Sequence, residues 1–335
     1  SPMAEIAGFP VRPGIYDLNG ATPLQNGVNF TIHTCGGTSC ELLLFHRAQE
    51  EPFAVLPFPE AYKIGDVYSM IVYGLNIDEF EYAYRVDGPY CPEKGLLFDK
   101  NKILLDPYAK AVAGQRTWGI RWDHTYHARV VKDRFDWGDM PQSKKELCDL
   151  IIYELHVRDF THHPSSGVQH RGTFSGLMEK IPYLKTLGIN AVELMPIFEF
   201  DELQGSREVD GKKLIDYWGY NTVSFFAPNT SYAASTEYNR EGVELKELIR
   251  ESADHVHILV GSGVTPEVIN CLTDEIGARY FHMSGKKIID SGMKYRKEQV
   301  NMGMPGMSEY EIYRTDEEQV RRARKIMNQK CGEIR

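Results

Sequence analysis

At residue 149 the period of the apolar residues changes, and that change sets what this chain can fold into. Upstream, the apolar residues come in short strand-like runs: "GVNFTIHT", "SCELLLFH", "DVYSMIVYG" and "FEYAYRVDG". They are rich in β-branched and aromatic residues, and Gly, Asp and Asn separate them, which is the signature of strands joined by turns. In the last run Phe80, Tyr82, Tyr84 and Val86 fall on one face, because side chains alternate along a strand. The pattern predicts an all-β, immunoglobulin-like sandwich over residues 8–112. An irregular connector, 113–148, follows it.

Downstream the runs lengthen. "DLIIYELHVRDF" reads as one continuous buried strand with charge at its far end. "GTFSGLMEKIPYLKTLG" reads as a helix with Leu177, Ile181, Leu184 and Leu187 on its apolar stripe, closed by Gly188. "INAVELMPIFEF" reads as a second buried strand. After a long loop come a helix at 239–252, a strand "HVHILVGSGV", a helix "TPEVINCLTDEIG", a strand "ARYFHMSG" and a last helix near 316–330. Such alternation predicts a parallel sheet. Four strands fall short of eight, so the reading is an incomplete (β/α) barrel-type region, with two βα units in 149–242 and two in 243–331. The strands are apolar on both faces, so helices are expected on both. Their two open edges suggest a homodimer or a poorly soluble, partly unfolded barrel region.

Composition narrows the partners. The net charge of −9 and a pI near 5.7 argue against a nucleic-acid partner. No apolar run reaches the roughly 18 residues of a membrane span. The start of the chain lacks the basic and apolar segments of a signal peptide, so a cytoplasmic location is expected. Six cysteines without a CxxC pair read as free thiols. No cofactor and no metal site are expected.

Three stretches, "LIIYELHVRDFT" at 150–161, "GTFSGLMEKIPYLKTLGINAVELMPIFEFDE" at 172–202 and "DYWGYNTVSFFAPNTSYA" at 216–233, resemble glycoside hydrolase family 13. The likeness is to its glycogen-debranching and isoamylase group. Upstream, "GFPVRPGIYDLNGATPLQNGVNFTIHT" and "FEYAYRVDGPYCPEKGLLFDKNKILLDPYAKAV" look like the N-terminal sandwich of that group, which is related to family 48 carbohydrate-binding modules. The resemblance implies a barrel acting on α-glucosidic bonds and an α-glucan partner, glycogen or starch. In "DYWGYNT" it makes Tyr220 the tyrosine that stacks on the sugar, with Trp218 able to add a second ring. A retaining glycosidase also needs a nucleophile and an acid about 5–5.5 Å apart. In the family they end later strands, and no residue after 242 is matched to them. No catalytic residue is therefore assigned, and glucan binding is the most that is expected. Glu193, Glu199 and Asp201 invite pairing, but Glu193 lies inside the second strand and reads as structural.

From about 242 the text changes. "ADHVHILVGSGVTPEVIN", "GARYFHMSGKK", "DSGMKYRKEQVNMG" and "EYEIYRTDEEQV" resemble the C-terminal part of CutC, a copper-homeostasis protein that is also an α/β barrel. The chain thus reads as a fusion, or chimera, of two families. The alternative function is that of a CutC-like copper-homeostasis or anion-binding protein. Gly261, Ser262, Gly263, Ser284 and Gly285, with Lys286 and Lys287 beside them, suit an anion pocket of backbone N–H groups. They suit tight strand-to-helix turns equally well. His282 and Cys271 are not assigned as copper ligands: Met283 beside His282 points to the opposite face, and Cys271 falls on an apolar helix stripe.

Overall fold

The structure is a computed structural model. It describes residues 4–113, 117–120, 126–132, 134–139, 145–235, 237, 239–252, 257–261, 263–276, 278–296 and 310–331. The four strand runs read upstream of 149 all form: Gly27–His33, Ser39–His46, Val67–Tyr73 and Phe80–Asp87. They belong to two antiparallel sheets packed face to face. Phe80, Tyr82, Tyr84 and Val86 all lie in the core between them, with Phe30, Leu42, Leu44 and Val72. Burying such side chains stabilises the sandwich by about 1.5–3 kcal/mol each. The sandwich does not stop at residue 112. His127–Arg129 pairs with Ala111–Ala113 and, through Ala128, with Tyr82, so part of the connector is sheet.

The second region is a four-stranded parallel sheet in chain order: Ile152–Leu155, Ala191–Leu194, His257–Val260 and Tyr280–Phe281. The first strand is shorter than the sequence suggests. It ends where His156 turns the chain into the helix Val157–His162 and accepts a hydrogen bond from the Asp159 amide. The helix read at 172–188 is two helices, Phe174–Met178 and Ile181–Thr186. Pro182 explains the break, since proline has no N–H for the preceding turn yet suits the start of a new helix. Gly188 closes the second as expected, at φ +86°, with Gly188 N–H donating to Lys185 and Ile189 N–H to Leu184. Helices follow at Arg240–Ser252, Pro266–Ile276 and Glu317–Cys331. An antiparallel hairpin, Lys286–Asp290 with Glu311–Thr315, was not foreseen.

Among the described residues, helices cover one face of the parallel sheet. Leu155, Val192, Leu194, Ile258 and Val260 pack on Leu177, Leu184, Leu248 and Val268. The opposite face carries Glu154, Glu193 and Leu259, side by side in register. The expectation of helices on both faces therefore fails: each of the first two strands places a glutamate on that face, and a charged side chain there needs polar surroundings rather than a packed helix.

The two regions are joined by buried polar contacts. Arg129 of the sandwich pairs with Glu241 of the helix Arg240–Ser252, and both side chains are almost fully buried. Tyr108 stacks on Phe226 at 5.4 Å, Ser224 Oγ donates to the Ala109 carbonyl, and Lys110 pairs with Glu275. Trp118 of the connector stacks on Tyr232 and lies edge-on to Phe200. Among the described residues no helix is long and apolar enough to cross a membrane.

Candidate functional site

A cleft of about 610 Å³ opens at the C-terminal ends of the parallel strands. The loop Asp216–Tyr220 delivers its aromatic residue. Gly219 sits at φ +80°, and a Cβ there would lie 2.6 Å from the Phe200 ring, so only glycine lets the chain pass close and turn Tyr220 outward. Tyr220 is 61% exposed in the cleft. Burial, then Glu154 and Glu193, push its hydroxyl above the usual tyrosine value. Phe225, 40% exposed, is the second aromatic of the lining. It sits against Gly263, where a Cβ would come within 2.6 Å of its ring.

The polar lining is acidic. Glu154, Glu193 and Glu267 all face the cleft, and His282 Nδ1 donates to the Glu193 carboxylate. Gly261, Gly263, Ser284 and Gly285 line it as well, so the residues read as an anion pocket and the residue read as a sugar platform share one cavity. Ser262 lies outside the described residues. The charges nearby oppose an anion. Lys286 rests over the Tyr313 ring at 4.0 Å and Lys287 reaches Asp316. The N-terminus of the helix Pro266–Ile276 is capped by Thr265 and carries Glu267 in its first turn. A neutral, hydroxyl-rich ligand fits this field better than an anion.

Trp218 is not in this lining. It packs edge-on against Tyr217 at 5.6 Å and His156 at 6.1 Å. Glu193, read as structural, lines the cleft, whereas Glu199 and Asp201 are the structural pair. Glu199 is fully buried and accepts from the Thr230 amide, and Asp201 caps the Leu203 amide. Burial pushes the Glu199 carboxyl well above its usual value, and that of Glu202 up to about 7. Sequence reasoning also missed Glu154, Phe225 and the Glu193–His282 pair. A signal existed for the first: "YEL" and "VEL" put a glutamate at the same place in two adjacent strands. It also passed over one Arg-x-Asp triplet, Arg314-Thr315-Asp316. Its arginine lies on the antiparallel hairpin and its aspartate caps Glu318 N–H, so it does not end a parallel strand.

Burial raises the Cys271 thiol to about 12, in keeping with a packing role. Among the described residues no group of three His, Cys, Asp or Glu side chains is placed to hold a metal ion.

Residues 19–109 match the family model for carbohydrate-binding module 48, the isoamylase N-terminal domain. The sandwich is therefore similar to that module over most of its length. Isoamylase SU1, chloroplastic, of Zea mays is 36% identical over 228 residues, covering 64% of this chain and 28% of that protein. Isoamylase 3, chloroplastic, of Oryza sativa subsp. japonica is 35% identical over 294 residues, covering 82% of this chain and 37% of the other. The glycogen debranching enzyme of Serratia proteamaculans is 33% identical over 244 residues, covering 67% and 35%. The chain thus spans about a third of the length of these relatives. A match over 82% of the chain has to run past residue 242, so it enters the segment that resembles CutC. The resemblance to isoamylase and debranching proteins is supported, whereas that to CutC rests on its sequence motifs alone. In fold, the chain is similar to the Group B Streptococcus pullulanase SAP, with a TM-score of 0.69 at 20% identity over 94% of this chain and 45% of that one. A pullulanase complexed with maltotetraose from Anoxybacillus sp. LM18-11 gives a TM-score of 0.54 at 26% identity, over 73% of this chain and 34% of that one.

Proposed function

We propose that this chain binds α-glucan in the cleft at the ends of its parallel strands, with Tyr220 as the platform. The observation that carries this is the joint exposure of Tyr220 and Phe225 in one acidic cleft. Aromatic faces suit the C–H face of a pyranose, and Glu154, Glu193 and His282 supply acceptors and a donor for its hydroxyls. The sandwich of the carbohydrate-binding module 48 type and the isoamylase relatives support the same class of ligand. The four-stranded layer is read as part of a (β/α) barrel, whose ligand sites lie at the C-terminal ends of the strands.

Hydrolysis is not part of this proposal, because no pair of groups is matched to the family's nucleophile and acid. A copper-homeostasis role is not taken up either, since nothing in the cleft favours it over sugar.

Calorimetric titration with maltoheptaose tests the reading. Binding should be saturable, and Tyr220→Ala should weaken it about tenfold. Absence of binding by the folded protein, or equal binding by the folded variant, overturns the assignment of the cleft.

A further inference from the structure

A second opening, of about 840 Å³, lies beside the short helix Val157–His162, and its character is opposite to that of the glucan cleft. Arg158, His162, His163, His170 and Arg171 line it, against one carboxylate, Asp159. Asp159 is engaged by the Tyr217 hydroxyl. The Arg158 guanidinium lies against the His162 ring, with Nη1 3.2 Å from His162 Nδ1, and over the Trp118 ring at 4.9 Å. A Cβ at Gly172 would lie 3.3 Å from Arg158 Nη1, so the same guanidinium borders the loop that carries His170 and Arg171. Among the described residues neither Arg158 nor Arg171 takes part in an ion pair. Arg158 Nε is buried without a hydrogen-bond partner. In a chain of net charge −9 the two arginines exceed the one lining carboxylate, while Glu179 is taken up by the Gln169 and His170 amides and Glu202 lies within the field of Arg158.

We infer that this pocket holds a phosphate group, gripped by Arg158 and Arg171 with His162 beside them. Guanidinium groups pair with phosphate oxygens through parallel N–H donors, which makes arginine the residue suited to this anion. His162 reports the local field. Burial, then Arg158 and Arg171, hold its titration below the ordinary histidine value, with His163 adding to them and only Asp159 opposing. A dianion between the two arginines reverses that effect. The phosphate is either free or esterified to a sugar. The esterified case rests on the glucan reading, whereas the pocket itself does not. Trp118 links the two features, contacting both Arg158 and Tyr217 of the loop that presents Tyr220.

The test uses the full chain and follows the His162 imidazole resonances by NMR. Inorganic phosphate is added at constant ionic strength, with chloride as the control. The expected result is a saturable shift of His162 and a rise in its titration midpoint. Arg171→Gln, at an exposed position, should keep the thermal midpoint and weaken phosphate binding about tenfold. A response no larger than that to chloride, or one unchanged in Arg171→Gln, overturns the site. A second arm compares maltoheptaose with a phosphorylated maltodextrin of similar length. Tighter binding of the phosphorylated sugar, lost in Arg171→Gln, assigns the esterified source. Equal binding of the two sugars, with inorganic phosphate still bound, assigns the free anion. Loss of plain maltoheptaose binding alone would count against the glucan cleft and leave the phosphate site standing.

Discussion

His282 donates a hydrogen bond to Glu193, across 89 residues of chain, in the cleft that Tyr220 also lines. The contact ties the last parallel strand to the second. His282 is mostly exposed, so the pair is worth at most about 1 kcal/mol to stability. Its weight falls on the ligand. His282→Ala should leave the thermal midpoint nearly unchanged and weaken maltoheptaose binding severalfold by calorimetry. An unchanged affinity would remove the pair from the site.

Buried carboxyls give the stability of the chain a pH dependence. Glu202 is fully buried, and burial raises it to about 7, opposed by its own backbone bond and the Ser231 hydroxyl. Asp106 is raised to about 6 for the same first reason, and Glu199 shifts in the same direction. A folded-state value above the unfolded one means that the folded chain holds the proton more tightly. The Glu202 contribution is complete below about pH 4.5 and is lost as the pH rises through about 7, a span worth at most about 3 kcal/mol. Thermal unfolding across that range should show a midpoint falling with pH, and Glu202→Gln should flatten the curve. A midpoint that rises steadily towards neutral pH would show that Glu202 stays ionised.

Gly219→Ala combines a left-handed backbone with a Cβ only 2.6 Å from the Phe200 ring. It should cost about 2 kcal/mol or more in urea unfolding and displace Tyr220. Full stability together with wild-type glucan affinity would mean that the loop does not pass Phe200 so closely.

The Arg129–Glu241 pair holds the sandwich to the α/β region in a dry setting. Arg129→Ala strands a buried carboxylate and should destabilise by about 3–5 kcal/mol. Replacing both, with Arg129→Met and Glu241→Leu, should recover most of that loss. A double variant no better than the single one would mean that the geometry of the pair, rather than its charge, is what the interface needs.

Among the described residues the first parallel strand is an edge of its sheet, and Ile152 on it and Ile151 just before it are 47% and 57% exposed. Exposed apolar edges recruit partners. Light scattering should show mass rising with concentration, and Ile152→Lys should suppress the rise. A monomer at all concentrations would count against a homodimer through this edge.

The sandwich was legible because its information is local. Alternation within one run fixes which face is apolar, so Phe80, Tyr82, Tyr84 and Val86 had to share a core. The stop at Gly188 was legible for the same reason, since a left-handed cap is a property of a few adjacent residues. Tyr220 was singled out through the family resemblance that its motif carries. The site as a whole was not, because its members meet only through register and packing. Glu154 and Glu193 are neighbours since two strands align residue for residue, and His282 joins them since a third and fourth strand follow in parallel. Apolar runs look buried on both faces when read along the chain. Only the assembled sheet decides which face meets helices and which meets water, because that choice is made by contacts between segments that the sequence separates.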